Sequence, residues 1–345
     1  MKRSLVPLVA VVLAAGCNRS PSGPVRPETY GVEFLGTPAG ATAFIPADVD
    51  TGVVVGRADF PARSRAVQWR DGSFTAIGPE PGAGCLSEAL ATSNFYVVGI
   101  VRCAQDVYGW SYPDDLGRAD ARPYEFRDVN ASGVVVGTVN PAPFLEPRRR
   151  AFVRERGGLR ELLPPGATAS EAVGVANDGS VAVNAFSACT ELVCAERRVF
   201  LLREGEWLEV PRPGVSPRRR GHAVSSDARV AGKVDEGEPF LWRPRTRVRA
   251  LSVIPGTRVE VRGVNRQGLV VGTARTDLSL GRPDRAVAWG GGGRQYLLTE
   301  RLQPGSPWQV EEAVGIDDQG EIAAIGTDPG TGRRGAILLT PPARQ

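Results

Sequence analysis

From residue 30 onward the chain repeats one pattern of apolar and polar positions. An apolar pair leads into a polar turn ending in glycine, and a β-branched run follows that usually closes on another glycine. The copies are DVDTGVVVG (48–56), DVNASGVVVG (128–137), VANDGSVAV (175–183), VNRQGLVVG (264–272) and IDDQGEIAA (316–324). Weaker copies are LATSNFYVVG (90–99) and VSSDARVAG (224–232). They end at Gly56, Gly99, Gly137, Val183, Gly232, Gly272 and Ala324. The mean step is about 45 residues, which suits one four-stranded blade of a β-propeller.

Short apolar runs follow each copy, such as AVQW (66–69), AFVRE (151–155), PFLW (239–242), AVAW (286–289) and AILL (336–339). A polar turn and a third run usually come next, as in RERGGLRELL and REGEWLEVP. Runs of this length, rich in β-branched residues and bounded by Gly and Asp, are strand grammar. We letter them a (before the repeated turn), b, c and d. The pattern predicts an all-β propeller of seven four-stranded blades over residues 30–340, with 341–345 as a tail. The last copy stops after strand c, and YGVEFL (30–35) has the character of the missing d strand. Pairing the two ends would close the ring and leave no free sheet edge. An open β-solenoid is the competing architecture.

The phrase G-x-V-V-G followed by A-F-x-W resembles the extracellular HAF repeat family of bacteria. Arg, Gly or Pro replaces that family's histidine in these copies. The resemblance implies a repeat architecture and no particular activity.

Ahead of the repeat, Lys2 and Arg3 precede an apolar run, Leu5 to Ala15. It is too short for the ~20 residues a membrane-spanning helix needs, and reads as the core of a signal peptide covering 1–16. The run ends in Leu13-Ala14-Ala15-Gly16-Cys17, which resembles the lipobox of bacterial lipoproteins, with Leu13 one position earlier than usual. That resemblance implies lipid on Cys17 as the mature N-terminus, and hence a membrane partner. Residues 17–29 are proline-rich and poor in apolar residues, as suits a flexible tether. The expected location is the bacterial cell envelope, facing either the periplasm or the outside.

Composition narrows the chemistry. The 42 glycines and 28 prolines argue against a helical protein. A net charge of +4 is too small to argue for nucleic acid, although all basic residues except Lys2 and Lys233 are arginines. His222 is the only histidine, which nearly removes histidine-based metal and general-base chemistry. No nucleophile elbow, zinc-protease motif, phosphate loop or dinucleotide fingerprint occurs. No cofactor or metal is therefore expected. The Asp48–Gly52 segment resembles half a calcium loop but reads better as an Asx–Gly hairpin turn.

Beyond Cys17 four cysteines remain. Cys85 and Cys103 flank one predicted hairpin symmetrically, and Cys189 and Cys194 share a loop, so the expected disulfides are Cys85–Cys103 and Cys189–Cys194. Trp69, Trp242 and Trp289 share one place in the repeat and read as packing residues. The b–c and d–a loops collect arginines, above all Arg148, Arg149, Arg150, Arg218, Arg219 and Arg220. Guanidinium forks suit carboxylates and phosphates, so these six are the candidate binding residues for an acidic glycan, lipid headgroup or protein surface. The expected function is a monomeric, non-catalytic binding module. A carboxylate-based hydrolase or lyase at the channel mouth is the alternative, to be recognised by carboxylates converging there with separated pKa values.

Overall fold

The computed structural model describes residues 29–342, except 105, 114–122, 140–147, 157, 191–193, 212–218, 235–236 and 277–283. The expected signal peptide, the Cys17 site, nearly all of the tether and Arg218 lie outside the described residues. Among the described residues there is no α-helix, and so none long and apolar enough to cross a membrane.

The first strand, β1 (Gly31–Phe34), belongs to the last sheet. Sheet 1 is β2 (Ala43–Asp50), β3 (Val53–Phe60), β4 (Arg63–Arg70) and β5 (Ser73–Ala76). Sheet 2 is β6 (Leu86–Ser93), β7 (Tyr96–Arg102) and β8 (Val107–Tyr112), three strands among the described residues, joined to sheet 1 by a single parallel bridge between Ser64 and Leu86. Sheet 3 is β9 (Tyr124–Val129), β10 (Val135–Val139), β11 (Arg150–Glu155) and β12 (Gly158–Leu162). Sheet 4 is β13 (Ala169–Val175), β14 (Val181–Cys189), β15 (Cys194–Arg203) and β16 (Glu206–Glu209). Sheet 5 is β17 (Arg219–Val224), β18 (Val230–Val234), β19 (Glu238–Trp242) and β20 (Arg249–Ala250). Sheet 6 is β21 (Thr257–Val264), β22 (Val270–Thr276), β23 (Arg285–Trp289) and β24 (Gln295–Leu297). Sheet 7 is β25 (Gln309–Ile316), β26 (Ile322–Asp328), β27 (Arg333–Thr340) and, outermost, β1. All seven a strands border one axial cavity. This is a seven-bladed β-propeller.

Position within the sheet explains the composition of each strand. The b strands are covered on both faces by neighbouring sheets, so they read as continuous apolar runs rather than alternating ones. All five residues of β10 are buried. The short outer strands β12 and β16 are largely exposed and polar. Trp69, Trp242 and Trp289 are all buried, and the indole nitrogens of Trp242 and Trp289 donate to Thr246 O and Ser252 O.

Every a strand carries a β-bulge that leaves a residue unpaired against its b strand, and β25 carries two. The bulge explains the glycine that closes the repeated phrase. Where the a strand kinks, its backbone carbonyl presses against the b strand. A Cβ on Gly56 would lie 2.1 Å from Ile45 O, one on Gly99 2.2 Å from Glu88 O, and one on Gly272 2.0 Å from Glu260 O. Gly137 and Gly232 stand in the same way at 2.1 and 2.2 Å. No side chain fits at these five positions, whereas sheets 4 and 7 accommodate Val183 and Ala324 opposite their bulges.

The expected N-terminal strand is present: β1 pairs antiparallel with β27, from Gly31 opposite Thr340 to Phe34 opposite Ile337. One apolar cluster joins Leu35, Phe44, Val49 and Val54 to Ala323, Ala336 and Leu338, so sheet 7 packs on sheet 1. Both expected disulfides form, Cys85–Cys103 across the open end of the β6–β7 hairpin and Cys189–Cys194 at the end of the β14–β15 pair. Two disulfides fit an oxidising, extracytoplasmic compartment.

Candidate functional site

The axial cavity has a volume of about 640 Å³. Its wall is set by the bulges. One unpaired residue of each a strand, Ala47, Leu90, Arg127, Val173, His222, Arg262 or Val314, faces the cavity, while Glu311, left unpaired by a second shift in β25, does not line it. Two positions earlier in their strands, Glu88 and Glu312 also line it. Toward the a–b turns the wall becomes rich in carboxylates.

Those turn-level carboxylates are joined to the framework of neighbouring blades. Asp48 Oδ2 accepts the Thr92 amide at 3.0 Å, and Asp50 accepts the Asn94 amide. Asp128 accepts the amides of Val175 and Val129, both at 2.8 Å. Asp317 takes the Thr51 amide at 3.0 Å across the seam between sheets 7 and 1, and also those of Gln319 and Glu321. Asp318 accepts the Arg266 amide at 2.9 Å and the Ser226 hydroxyl. The Ser226 bond links sheets 5 and 7 past sheet 6, drawing the turns together at this end. Asn130 and Asn265 donate to Ala176 O and Asp317 O in the same manner.

Burial shifts these groups strongly. It raises Asp48 well above the usual carboxylate range, with the nearby Asp128 and Asp50 charges adding to the effect and the Thr92 amide opposing it. Burial likewise lifts Asp128 to about 6 and Asp317 to about 7, in the latter case with the Glu321 charge adding. Glu88 is raised by burial, against the pull of Arg57 and Arg102. His222 moves the other way, down to about 3, through burial and then the cations Arg220, Lys233, Arg127 and Arg262. Its Nε2 is buried with no hydrogen-bond partner, so at neutral pH an uncharged imidazole stands in the wall.

The six candidate arginines lie apart from this wall. Arg149 and Arg220 share Glu171, at 3.4 and 3.0 Å. Arg150 donates to Arg149 O at 2.8 Å, and Arg148 is exposed. Arg219 is buried, 1% exposed, and donates to Val210 O at 2.6 Å. Arg218 lies outside the described residues. Arg127, Arg262, Glu88 and Glu312 were not singled out from the sequence. The signal for Arg127 and Arg262 was an arginine where the other copies carry Ala, Leu, Val or His, as in R-D-V-N (127–130) and R-G-V-N (262–265). Glu88 and Glu312 stand where Glu125, Glu171, Arg220 and Glu260 stand in other copies, so nothing set them apart. Among the described residues no group of three or more His, Cys, Asp or Glu side chains is placed to hold a metal ion.

No protein-family model matches the sequence, and no curated protein matches it. Solved structures do. The chain is similar to oligogalacturonate lyase from Vibrio parahaemolyticus, with 10% identity, a TM-score of 0.53, and coverage of 91% of this chain and 98% of that one. It is similar to the Pyrococcus horikoshii acylaminoacyl peptidase, with 12% identity, a TM-score of 0.53, and coverage of 87% and 52%. A puromycin-hydrolyzing peptidase of Mycobacterium tuberculosis matches with 14% identity, a TM-score of 0.50, and coverage of 85% and 52%. The chain thus spans about half the length of the two peptidases. At these identities the likeness is one of fold.

Proposed function

We propose that this protein is a non-catalytic binding module of the bacterial cell envelope, a HAF-type repeat lipoprotein held by lipid on Cys17, with the axial cavity as its ligand seat. The observation that carries the reading is the division of the cavity's charges. The aspartates that would serve acid–base chemistry are bound to backbone amides of neighbouring blades, while Arg127, Glu88 and Glu312 form no hydrogen bond or ion pair with a described residue. Charges left open around a concave site of this size suit holding a small molecule. The arginine-bearing rim would serve as an encounter surface for anionic envelope material, although Glu171 already engages Arg149 and Arg220.

The test uses the single histidine. Low-molecular-weight envelope extract should shift the one imidazole NMR signal of the wild type and leave it unmoved in Ala47→Trp, which fills the cavity. Equal shifts in both proteins would place the ligand elsewhere. Intact-mass measurement of membrane-extracted protein checks the anchor, and a Cys17→Ala form that stays membrane-bound would refute it.

Carboxylate catalysis keeps one observation in its favour, the raised pKa values of Asp128 and Asp317 on a common cavity. Asp128→Asn separates the readings. Under catalysis it abolishes turnover of a bound ligand, whereas under binding the wild type and variant both return the ligand unchanged.

A further inference from the structure

We infer that the axial cavity is built for a zwitterion, a solute carrying both an ammonium group and a carboxylate, as a free amino acid or a short peptide does. The inference rests on the binding reading above and names its ligand class. Its basis is the polarity of the cavity from one wall to the other. Sheets 7, 1 and 2 supply Glu312, Asp317, Asp318, Asp48, Asp50 and Glu88. The opposite side, from sheets 3, 5 and 6, supplies Arg127, His222, Arg262 and Arg266, with Asp128 as the one carboxylate among them.

Within that field the open groups stand near the bulge level. Glu88 and Glu312 come from the blades on either side of sheet 1, and neither forms a hydrogen bond or ion pair with a described residue, although Arg57 and Arg102 attract Glu88 from a distance. Arg127 is equally unengaged, and Arg262 gives Nη2 to Glu260 at 2.7 Å, which steadies its guanidinium. Between the charged walls lie Leu90, Val173 and Val314, apolar surface for the body of a ligand. A purely anionic ligand would face the glutamates and a purely cationic one the arginines. A ligand with both charges satisfies both walls, ammonium toward Glu88 and Glu312, carboxylate toward Arg127 and Arg262. His222, uncharged amid those cations, is left to hydrogen-bond the carboxylate.

The experiment compares triglycine with its two singly blocked forms, N-acetyltriglycine and triglycinamide, read at the His222 imidazole signal and by calorimetry. Triglycine should give a saturable shift and raise the His222 pKa by about one unit or more, because a bound carboxylate offsets the surrounding cations. Each blocked form should bind at least about tenfold more weakly, the loss of one charge-assisted contact. Glu88→Gln should erase the penalty on N-acetyltriglycine, and Arg127→Gln the penalty on triglycinamide. Blocked peptides binding as well as triglycine would overturn the zwitterion while leaving the binding module standing. So would silence of His222 toward all three peptides when envelope extract still shifts it. Silence toward peptides and extract alike would sink both readings.

Discussion

Two neighbouring residues of β9, Arg127 and Asp128, face the same cavity and have opposite fates. Asp128 is fastened to the Val175 and Val129 amides and ties sheet 3 to sheet 4. Arg127 reaches the cavity without a hydrogen bond or ion pair to any described residue. A similar split recurs along the wall, with aspartates near the a–b turns spent on the framework and Glu88 and Glu312 near the bulges forming no hydrogen bond or ion pair with a described residue, although Arg262 at its bulge is paired with Glu260. Charge alone therefore does not mark a ligand site here. What distinguishes the two levels is whether a backbone amide of the next blade is already within reach.

The most drastic way to break the comparison is to remove residues 1–36. The acidic wall spans the seam between sheets 7 and 1, and β1 completes sheet 7 beside it. Loss of β1 also uncovers the partners of Tyr30 and Leu35, 2% and 7% exposed, for a loss on the order of 5 kcal/mol. Chemical denaturation of the truncated protein measures it, and an unchanged midpoint would disprove a seam sealed by β1. Next come the glycines behind the bulges. Gly56→Ala or Gly272→Ala should destabilise by about 3 kcal/mol, because the new Cβ meets a carbonyl that cannot withdraw. Gly291→Ala, with nothing within 4 Å of its Cβ, should be neutral in the same assay.

Smaller effects sharpen the contrast at β9 itself. Asp128→Ala leaves a buried amide unpaired and should lower stability by about 2 kcal/mol. Arg127→Ala should stay within about 0.5 kcal/mol while weakening ligand binding. Equal losses in thermal unfolding would erase the distinction. The pH dependence of Asp128 has a definite sign. Its folded-state pKa of about 6 lies above the unfolded value of 3.8, so between them the folded chain holds the extra proton. Its burial penalty is absent below the unfolded value and fully present above the folded one. Acidifying from about pH 7.5 to about pH 5 should therefore stabilise the wild type by about 1 kcal/mol relative to Asp128→Asn. The smallest change is expected at the rim, where Arg220→Ala removes an ion pair whose arginine side chain is 43% exposed. It should alter stability by less than about 1 kcal/mol.

Much of the fold was legible because the repeat states it. The b strands announce themselves as unbroken β-branched runs. The d-like YGVEFL stood where the last copy lacked a strand, and the symmetric placing of Cys85 and Cys103 about Asn94 gave their pairing. The cavity wall was not legible in the same way. Side chains alternate along a strand with period two, and an unannounced bulge reverses that parity halfway along each a strand. Without it, Arg127 and Asp128 fall on opposite faces, and nothing selects which one lines the axis. The rim arginines were visible as a cluster, but Glu171, two positions into β13, carried no sign that it would engage both Arg149 and Arg220.

The direction of β1 has a mechanical consequence. Gly31 faces Thr340 and Phe34 faces Ile337, so the chain comes into the seam from the side of the a–b and c–d turns. Ladder hydrogen bonds lie across the strands. A pull transmitted from the proposed lipid at Cys17, applied from that side, acts along the length of β1 and loads its paired residues together in shear. The same force applied across the strand would open them one at a time. With its loops engaged on the far side and its tether drawn tight, the propeller would hang from the bonds of its own seam in their strongest direction.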